Sequence, residues 1–266
     1  MDRRAIGVFD SGLGGLTAAR VLEETLPYEN IIYFGDTANM PYGPRSREEL
    51  VRLACRNAEL LLSHNVKAIL VACGTVSSNA MAELAERFSV PFFGVIEPAV
   101  MAAAEATETG RVGVIATEAS IRSGAYRRSL EAMERGIRVF DTACPSFVSL
   151  VESGHFSPRD GLVKAAAENE LRALKKAGVD TLILGCTHYP LLGEAIADYM
   201  GSDVQLISSG GEAALALGEY LHREDKLSDG REKGSRRWFT SGDAAAFARS
   251  AEIFLGHAVR AEWADI

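Results

Sequence analysis

AILVACGT, residues Ala68–Thr75, and TLILGCTH, residues Thr181–His188, each run an apolar segment into a small residue, a cysteine and a threonine. Neither apolar run alternates with polar residues, as a half-exposed strand would. Short continuous runs of this kind suit strands covered on both faces of a parallel sheet. Working outward, similar runs lie at Ala5–Phe9, Asn30–Phe34, Pro91–Val95, Arg111–Ala116, Ile137–Phe140 and Val204–Ile207, with Ala68–Ala72 and Val179–Leu184 the strands of the opening pair. Between them come segments of helical period, clearest at Ser46–Ser63, Val76–Arg87, Ile121–Arg135, Arg159–Ala177 and Gly211–Leu221. Strands alternating with helices predict an α/β fold with mainly parallel sheets. The repetition of the cysteine-bearing run suggests pseudo-symmetric halves.

At 266 residues the chain sits near the limit of about 250–300 residues at which a single core stops growing. Two lobes with a cleft between them are therefore expected. A crossover falls near Ile96–Pro98, where Pro98 should bias Glu97 away from helix just after a strand. The expected division is a first α/β domain of 1–97 plus 209–266 and a second of 98–208. Glu224–Arg236, EDKLSDGREKGSR, is charged, aperiodic and glycine-containing, so it reads as an exposed connector. Arg237–Thr240 and Ala258–Trp263 read as further strands flanking a helix.

Composition excludes several classes of function. The net charge of −8, with no basic stripe carrying interleaved aromatics, argues against nucleic acid as a partner. No apolar run is long enough to span a membrane. The opening MDRRAIGVFDSG lacks a secretory apolar region, so export is not expected and a cytoplasmic location is. The four cysteines, Cys55, Cys73, Cys144 and Cys186, include no C-x-x-C pair. Neither a disulfide framework nor a structural zinc site is suggested.

Ligands of open α/β sheets bind outside the carboxyl ends of the strands. Polar or glycine-rich turns follow the strands at Asp10-Ser11-Gly12, Gly35-Asp36-Thr37, Cys73-Gly74-Thr75, Cys186-Thr187-His188 and Ser208-Ser209-Gly210-Gly211. DSGLGG matches neither a dinucleotide fingerprint nor a P-loop. Its glycines would let backbone N–H groups approach a carboxylate, or would simply make a tight turn with Asp10 as a cap. A lone buried cysteine is usually packing, and Cys55 inside LVRLACRNAELLL and Cys144 before Pro145 fit that reading. Two strand-end cysteines in matching contexts point instead to thiol chemistry, with His188 as a cationic partner for Cys186.

DSGLGG, YFGDTANMPYGPRS, VACGT, GVIEPA, RVGVIATEASIRSGAY, ACPSFVSLVESG and LILGCTHYPLL occur in that order up to Ser209. Together they resemble glutamate racemase of the aspartate/glutamate racemase superfamily. The resemblance implies two similar α/β domains with the active site in the cleft between them. It implies interconversion of L- and D-glutamate, the latter serving peptidoglycan, without pyridoxal phosphate, flavin or catalytic metal. Cys73 and Cys186 match the family's alternating acid and base, and Asp10, Glu152 and His188 its assisting groups. Ser11, Tyr42, Gly43, Thr75 and Thr187 match binding positions, as do Thr117 and Ser120. The family commonly has asparagine where this chain has Gly74, leaving a backbone N–H in place of a side-chain amide. A homodimer is the assembly expected.

Elementary chemistry agrees with that implication. An amino-acid α-proton is weakly acidic, so cofactor-free racemisation needs a base on one face, an acid on the other and stabilisation of the carbanion. A thiolate and a thiol suit a reaction between mirror images. A Schiff-base route needs a lysine, and the six lysines (67, 164, 175, 176, 226 and 233) lie mostly in helices or the connector. The rivals are an aspartate or other amino-acid racemase of the same superfamily and a silent protein that binds an acidic metabolite.

Overall fold

In the computed structural model, which describes every residue except Glu134, Arg231 and Ile266, each apolar run named above becomes a strand. Glu134 in the expected third helix, Arg231 in the expected connector and Ile266 at the end of the first expected domain lie outside the described residues. The chain begins β1 (Ile6–Asp10), α1 (Leu16–Thr25), β2 (Ile31–Gly35), α2 (Arg47–Ser63), β3 (Ala68–Val71), α3 (Gly74–Asn79), α4 (Met81–Arg87), β4 (Phe92–Gly94) and α5 (Ile96–Ala106). It continues β5 (Arg111–Ala116), α6 (Glu118–Ser123), α7 (Ala125–Glu131), β6 (Arg138–Ala143), α8 (Pro145–Glu152), α9 (Gly161–Ala177) and β7 (Thr181–Leu184). A 3-10 turn at Tyr189–Leu192 leads to α10 (Gly193–Met200), β8 (Gln205–Ser208), α11 (Ser209–Arg223), β9 (Arg236–Thr240), α12 (Ala244–Leu255) and β10 (Ala261–Trp263).

All strand pairs are parallel. One sheet has the order β10-β9-β2-β1-β3-β4 and the other β6-β5-β7-β8. The second order repeats the run β2-β1-β3-β4 of the first, with β5 in the place of β1 and β7 in the place of β3. The sequence echo is thus a topological one: the two cysteine-bearing runs are equivalent strands. Alternate residues serve two cores, Leu70 on one face of β3 and Ile69 and Val71 on the other, which is why the run has no polar member. One core joins both sheets, with Val8, Leu70, Ile115 and Leu182 packed alongside Leu16 of α1 and Leu217 of α11.

Local chemistry sets the helix ends. Ser46 and Glu49 form a capping box that starts α2, and Asp160 and Asp243 cap α9 and α12. Three expectations need correction. The run Val76–Arg87 is two helices broken at Ala80, because Ser78 and Asn79 turn their side chains onto the carbonyls of Gly74 and Thr75. Ile121–Arg135 likewise divides at Gly124, which takes a left-handed conformation (φ 66°). Glu97 is helical after all: Pro98 lies in the first turn of α5, where its missing N–H would have had no helical partner.

The connector is more than an exposed loop. The buried Lys67 ammonium, just before β3, donates to Glu29 Oε2 at 2.6 Å and to the carbonyls of Asp2 and Lys226 at 2.7 Å. Ser228 N–H donates to the other Glu29 oxygen at 2.6 Å. A charge buried at the amino ends of the strands is thereby paired and hydrogen-bonded in full, and the half-buried Lys226–Ser228 segment is tied to the sheet.

Candidate active site

Register brings the chemical groups together. Phe9 pairs with Val71, and Ile115 with Leu184, so Ser11, just after Asp10, leaves the first sheet level with Cys73, as Thr117 leaves the second level with Cys186. Between these strand ends lies a cavity of about 320 Å³, within the range of small-molecule sites. Ser11, Tyr42, Gly43, Cys73, Gly74, Thr75, Thr117, Glu152, Cys186, Thr187 and His188 line it. Asp10 and Ser120, also expected there, sit behind the wall and are almost fully buried.

On the first lobe, Cys73 is the N-cap residue of α3 and is buried. Burial pushes its thiol up to about 12, with the Asp10 carboxylate adding to the effect. The Val76 N–H and the hydroxyl and N–H of Ser11 act in the opposite sense. Asp10 Oδ2 accepts from the N–H groups of Gly12 and Gly15, both at 3.1 Å. That is the turn-capping role weighed from the sequence, yet it uses only one oxygen. Oδ1 is buried without a hydrogen-bond partner, an arrangement usually reserved for function.

On the second lobe, His188 Nδ1 lies 3.7 Å from Cys186 Sγ. Its Nε2 is 3.4 Å from Glu152 Oε1, an ion-pair distance without hydrogen-bond geometry, so Nε2 is left buried and unpartnered. Burial opposes charge on this imidazole, but its contacts with Cys186 and Glu152 prevail and raise it to about 10. The ring stands edge-on to Phe254, with centroids 6.1 Å apart. Glu152 is the last residue of α8, which also delivers Val148 and Ser149 to the cavity.

Hydroxyl groups cross between the lobes. Thr75 Oγ1 and Thr117 Oγ1 are 3.1 Å apart, and Thr117 in turn contacts Ser120 Oγ at 3.1 Å. Tyr42 donates to Asp36 at 2.5 Å and accepts from Asn57 at 3.1 Å. Its hydroxyl is therefore already engaged by Asp36 and Asn57. Wall residues that were not singled out include Met40, Pro41, Pro44, Glu118, Pro145, Val148 and Ser149. Most lie in the YFGDTANMPYGPRS and ACPSFVSLVESG segments, downstream of the equivalent strands β2 and β6. Cys55 and Cys144 are buried free thiols, as expected of packing residues.

The model of the Asp/Glu/Hydantoin racemase family matches residues 16–217. Glutamate racemase of Corynebacterium diphtheriae is 46% identical over 256 residues, 96% of each chain. That of Bacillus cereus is 42% identical over 256 residues, 96% of this chain and 94% of its own. The chain belongs to the glutamate racemase family. Solved structures of this family agree in fold. Glutamate racemase isoform RacE1 of Bacillus anthracis superposes with a TM-score of 0.94 at 37% identity, covering 100% of this chain and 99% of its own. The Francisella tularensis glutamate racemase, solved with D-glutamate, gives 0.91 at 36%, covering 100% and 98%. An aspartate racemase of Picrophilus torridus, at 0.61 and 18% identity over 85% and 99%, is alike in fold alone. The racemase family thus carries both the duplicated α/β architecture and the isomerase activity that the motifs implied.

Proposed function

We propose that Cys73 and Cys186 work from opposite faces of glutamate, one removing the α-proton while the other delivers a proton. The observation that carries this reading is the placement of both sulfurs on one cavity, at the ends of equivalent strands of the two sheets. With L-glutamate, Cys186 takes the α-proton and Cys73 protonates the other face; with D-glutamate the roles exchange. Asp10 and the His188–Glu152 pair set the charge around each sulfur. Ser11, Thr75, Thr117 and Thr187, with the ring and backbone of Tyr42 and the backbone of Gly43 and Gly74, hold the substrate carboxylates and ammonium. Ser120 supports Thr117 from behind. No cofactor enters this scheme.

In the same reading the chain divides into 1–97 plus 209–266 and 98–208. Sheet membership supports the division, although α5 straddles its first boundary. The product D-glutamate would serve peptidoglycan synthesis. The proposed setting is cytoplasmic, and the proposed assembly is a homodimer, which sedimentation equilibrium would test. Among the described residues no helix is long and apolar enough to cross a membrane.

The activity is tested by circular dichroism of L-glutamate and L-aspartate solutions, without added cofactor and after dialysis against a chelator. The glutamate signal should decay to zero and the aspartate signal persist. A faster loss with aspartate, or dependence on a restored metal, would overturn the assignment.

A further inference from the structure

Gly74 and Gly185 meet across the cleft. A Cβ placed on Gly74 would stand 2.5 Å from the carbonyl oxygen of Gly185, closer than real side chains come to backbone. The conformation of Gly74 is not left-handed, so glycine is needed here for proximity and not for its backbone freedom. Neither partner can retreat easily. Gly185 N–H is bonded to the Ile115 carbonyl at 2.7 Å. A Cβ on Gly185 would lie 2.8 Å from that carbonyl and 3.1 Å from the Tyr126 ring. Gly74 is the first residue of α3, and its carbonyl accepts from Ser78 Oγ at 2.6 Å.

Chain position makes this contact consequential. Gly74 follows Cys73 and Gly185 precedes Cys186, so relief of a clash on either side must displace a sulfur. The Thr75–Thr117 contact closes the same seam at 3.1 Å. Nearby, Thr17 Oγ1 donates to the Thr187 carbonyl at 3.2 Å.

We propose that Gly74 is a positioning residue that sets the distance between Cys73 and Cys186 by letting α3 rest directly on the Gly185 carbonyl. The proposal rests on the two-cysteine reading. At that spacing, removal of a proton by one sulfur is followed by delivery from the other before the first can return it. Asparagine, which the resembled family commonly carries here, would not enter this chain without opening the seam.

The test is turnover in deuterated water by Gly74→Ala and Gly74→Asn. In the wild type, product carries deuterium at Cα and recovered substrate stays largely unlabelled early in the reaction. In the variants, kcat should fall about a hundredfold in both directions, the scale of a 1 Å misplacement, with a smaller change in KM. Recovered substrate should also gain label faster than product forms. The C–H bond breaks to give S–H, this exchanges with solvent to S–D, and the same sulfur returns the deuteron to the same face. Unchanged kcat and an unchanged ratio of exchange to inversion, in variants shown to be folded by thermal melting, would overturn the proposal. Should both variants fail to fold, Thr75→Val loosens the same seam without added volume, and an unchanged ratio there would overturn it equally. If Cys73→Ala remained active, the two-cysteine reading itself would fail; if Cys73→Ala is inactive while Gly74→Ala is normal, only the spacing role fails.

Discussion

Cys73 and Cys186 stand at the ends of topologically equivalent strands, yet Cys73 is faced by the Asp10 carboxylate and Cys186 by the His188 imidazole. Equivalent strands account for where the sulfurs are, while the groups beside them differ between the lobes. Burial and a nearby negative charge keep the Cys73 thiol protonated. Cys186 sits beside a ring that its contacts with Cys186 and Glu152 keep charged at neutral pH. The two sulfurs therefore meet unlike neighbours, a carboxylate on the first lobe and a charged imidazole on the second, although the reaction proposed for them is symmetric.

Removing either sulfur should have the largest effect. Cys73→Ala and Cys186→Ala should each lower turnover by about a thousandfold or more, since general acid and base each contribute on the order of 10²–10⁴. The loss should appear with both enantiomers. Near-normal turnover by either variant would dismiss the opposed-cysteine arrangement.

His188→Asn should cost less, about a hundredfold in kcat/KM. Mirror-image substrates have equal free energies, so kcat/KM must fall equally in both directions. The asymmetry should show instead in the primary deuterium isotope effect, which should rise more with L-glutamate, whose proton Cys186 takes. An equal rise with both enantiomers would place His188 outside the base role.

The same imidazole gives a dependence on pH. Its value is raised from 6.5 to about 10, so its contribution to stability is fully present below pH 6.5, declines above it and is lost as pH rises through about 10. The difference in melting temperature between wild type and His188→Asn should shrink across that window. A constant difference would contradict the charged-ring assignment.

Asp10→Asn should have the smallest effect. It removes one of the two influences that raise Cys73 and leaves burial, so the thiol should titrate below its present value of about 12. Thiolate absorbance against pH, measured in a Cys186→Ala background, would detect the change. No downward shift would mean that Asp10 does not act on Cys73.

Much of this was legible from residue pattern. Ala68–Val71 and Thr181–Leu184 show their burial on both faces directly, and ligands bind outside the carboxyl ends of such parallel strands, which placed Cys73 and Cys186. Less visible was whatever depends on partners distant in sequence. The orphaned Asp10 Oδ1, the diversion of the Tyr42 hydroxyl to Asp36 and the Gly74–Gly185 approach each need the second element in place before they have meaning. Gly74 is the clearest case. From the sequence it stood for a side-chain amide replaced by a backbone N–H, whereas the packed structure makes it a matter of distance. The break at Ala80 escaped detection because side-chain bonds to backbone carbonyls compete with a helical period that continues across them.

Whether two separate sulfurs serve the two faces of one α-carbon can be read from a single incubation of the wild-type protein with L-glutamate in deuterated water, stopped early and analysed for Cα label in each enantiomer. D-glutamate should carry solvent deuterium and recovered L-glutamate should still be largely protonated. D-glutamate that retained the original proton would mean one shuttling base, and would contradict the two-cysteine reading.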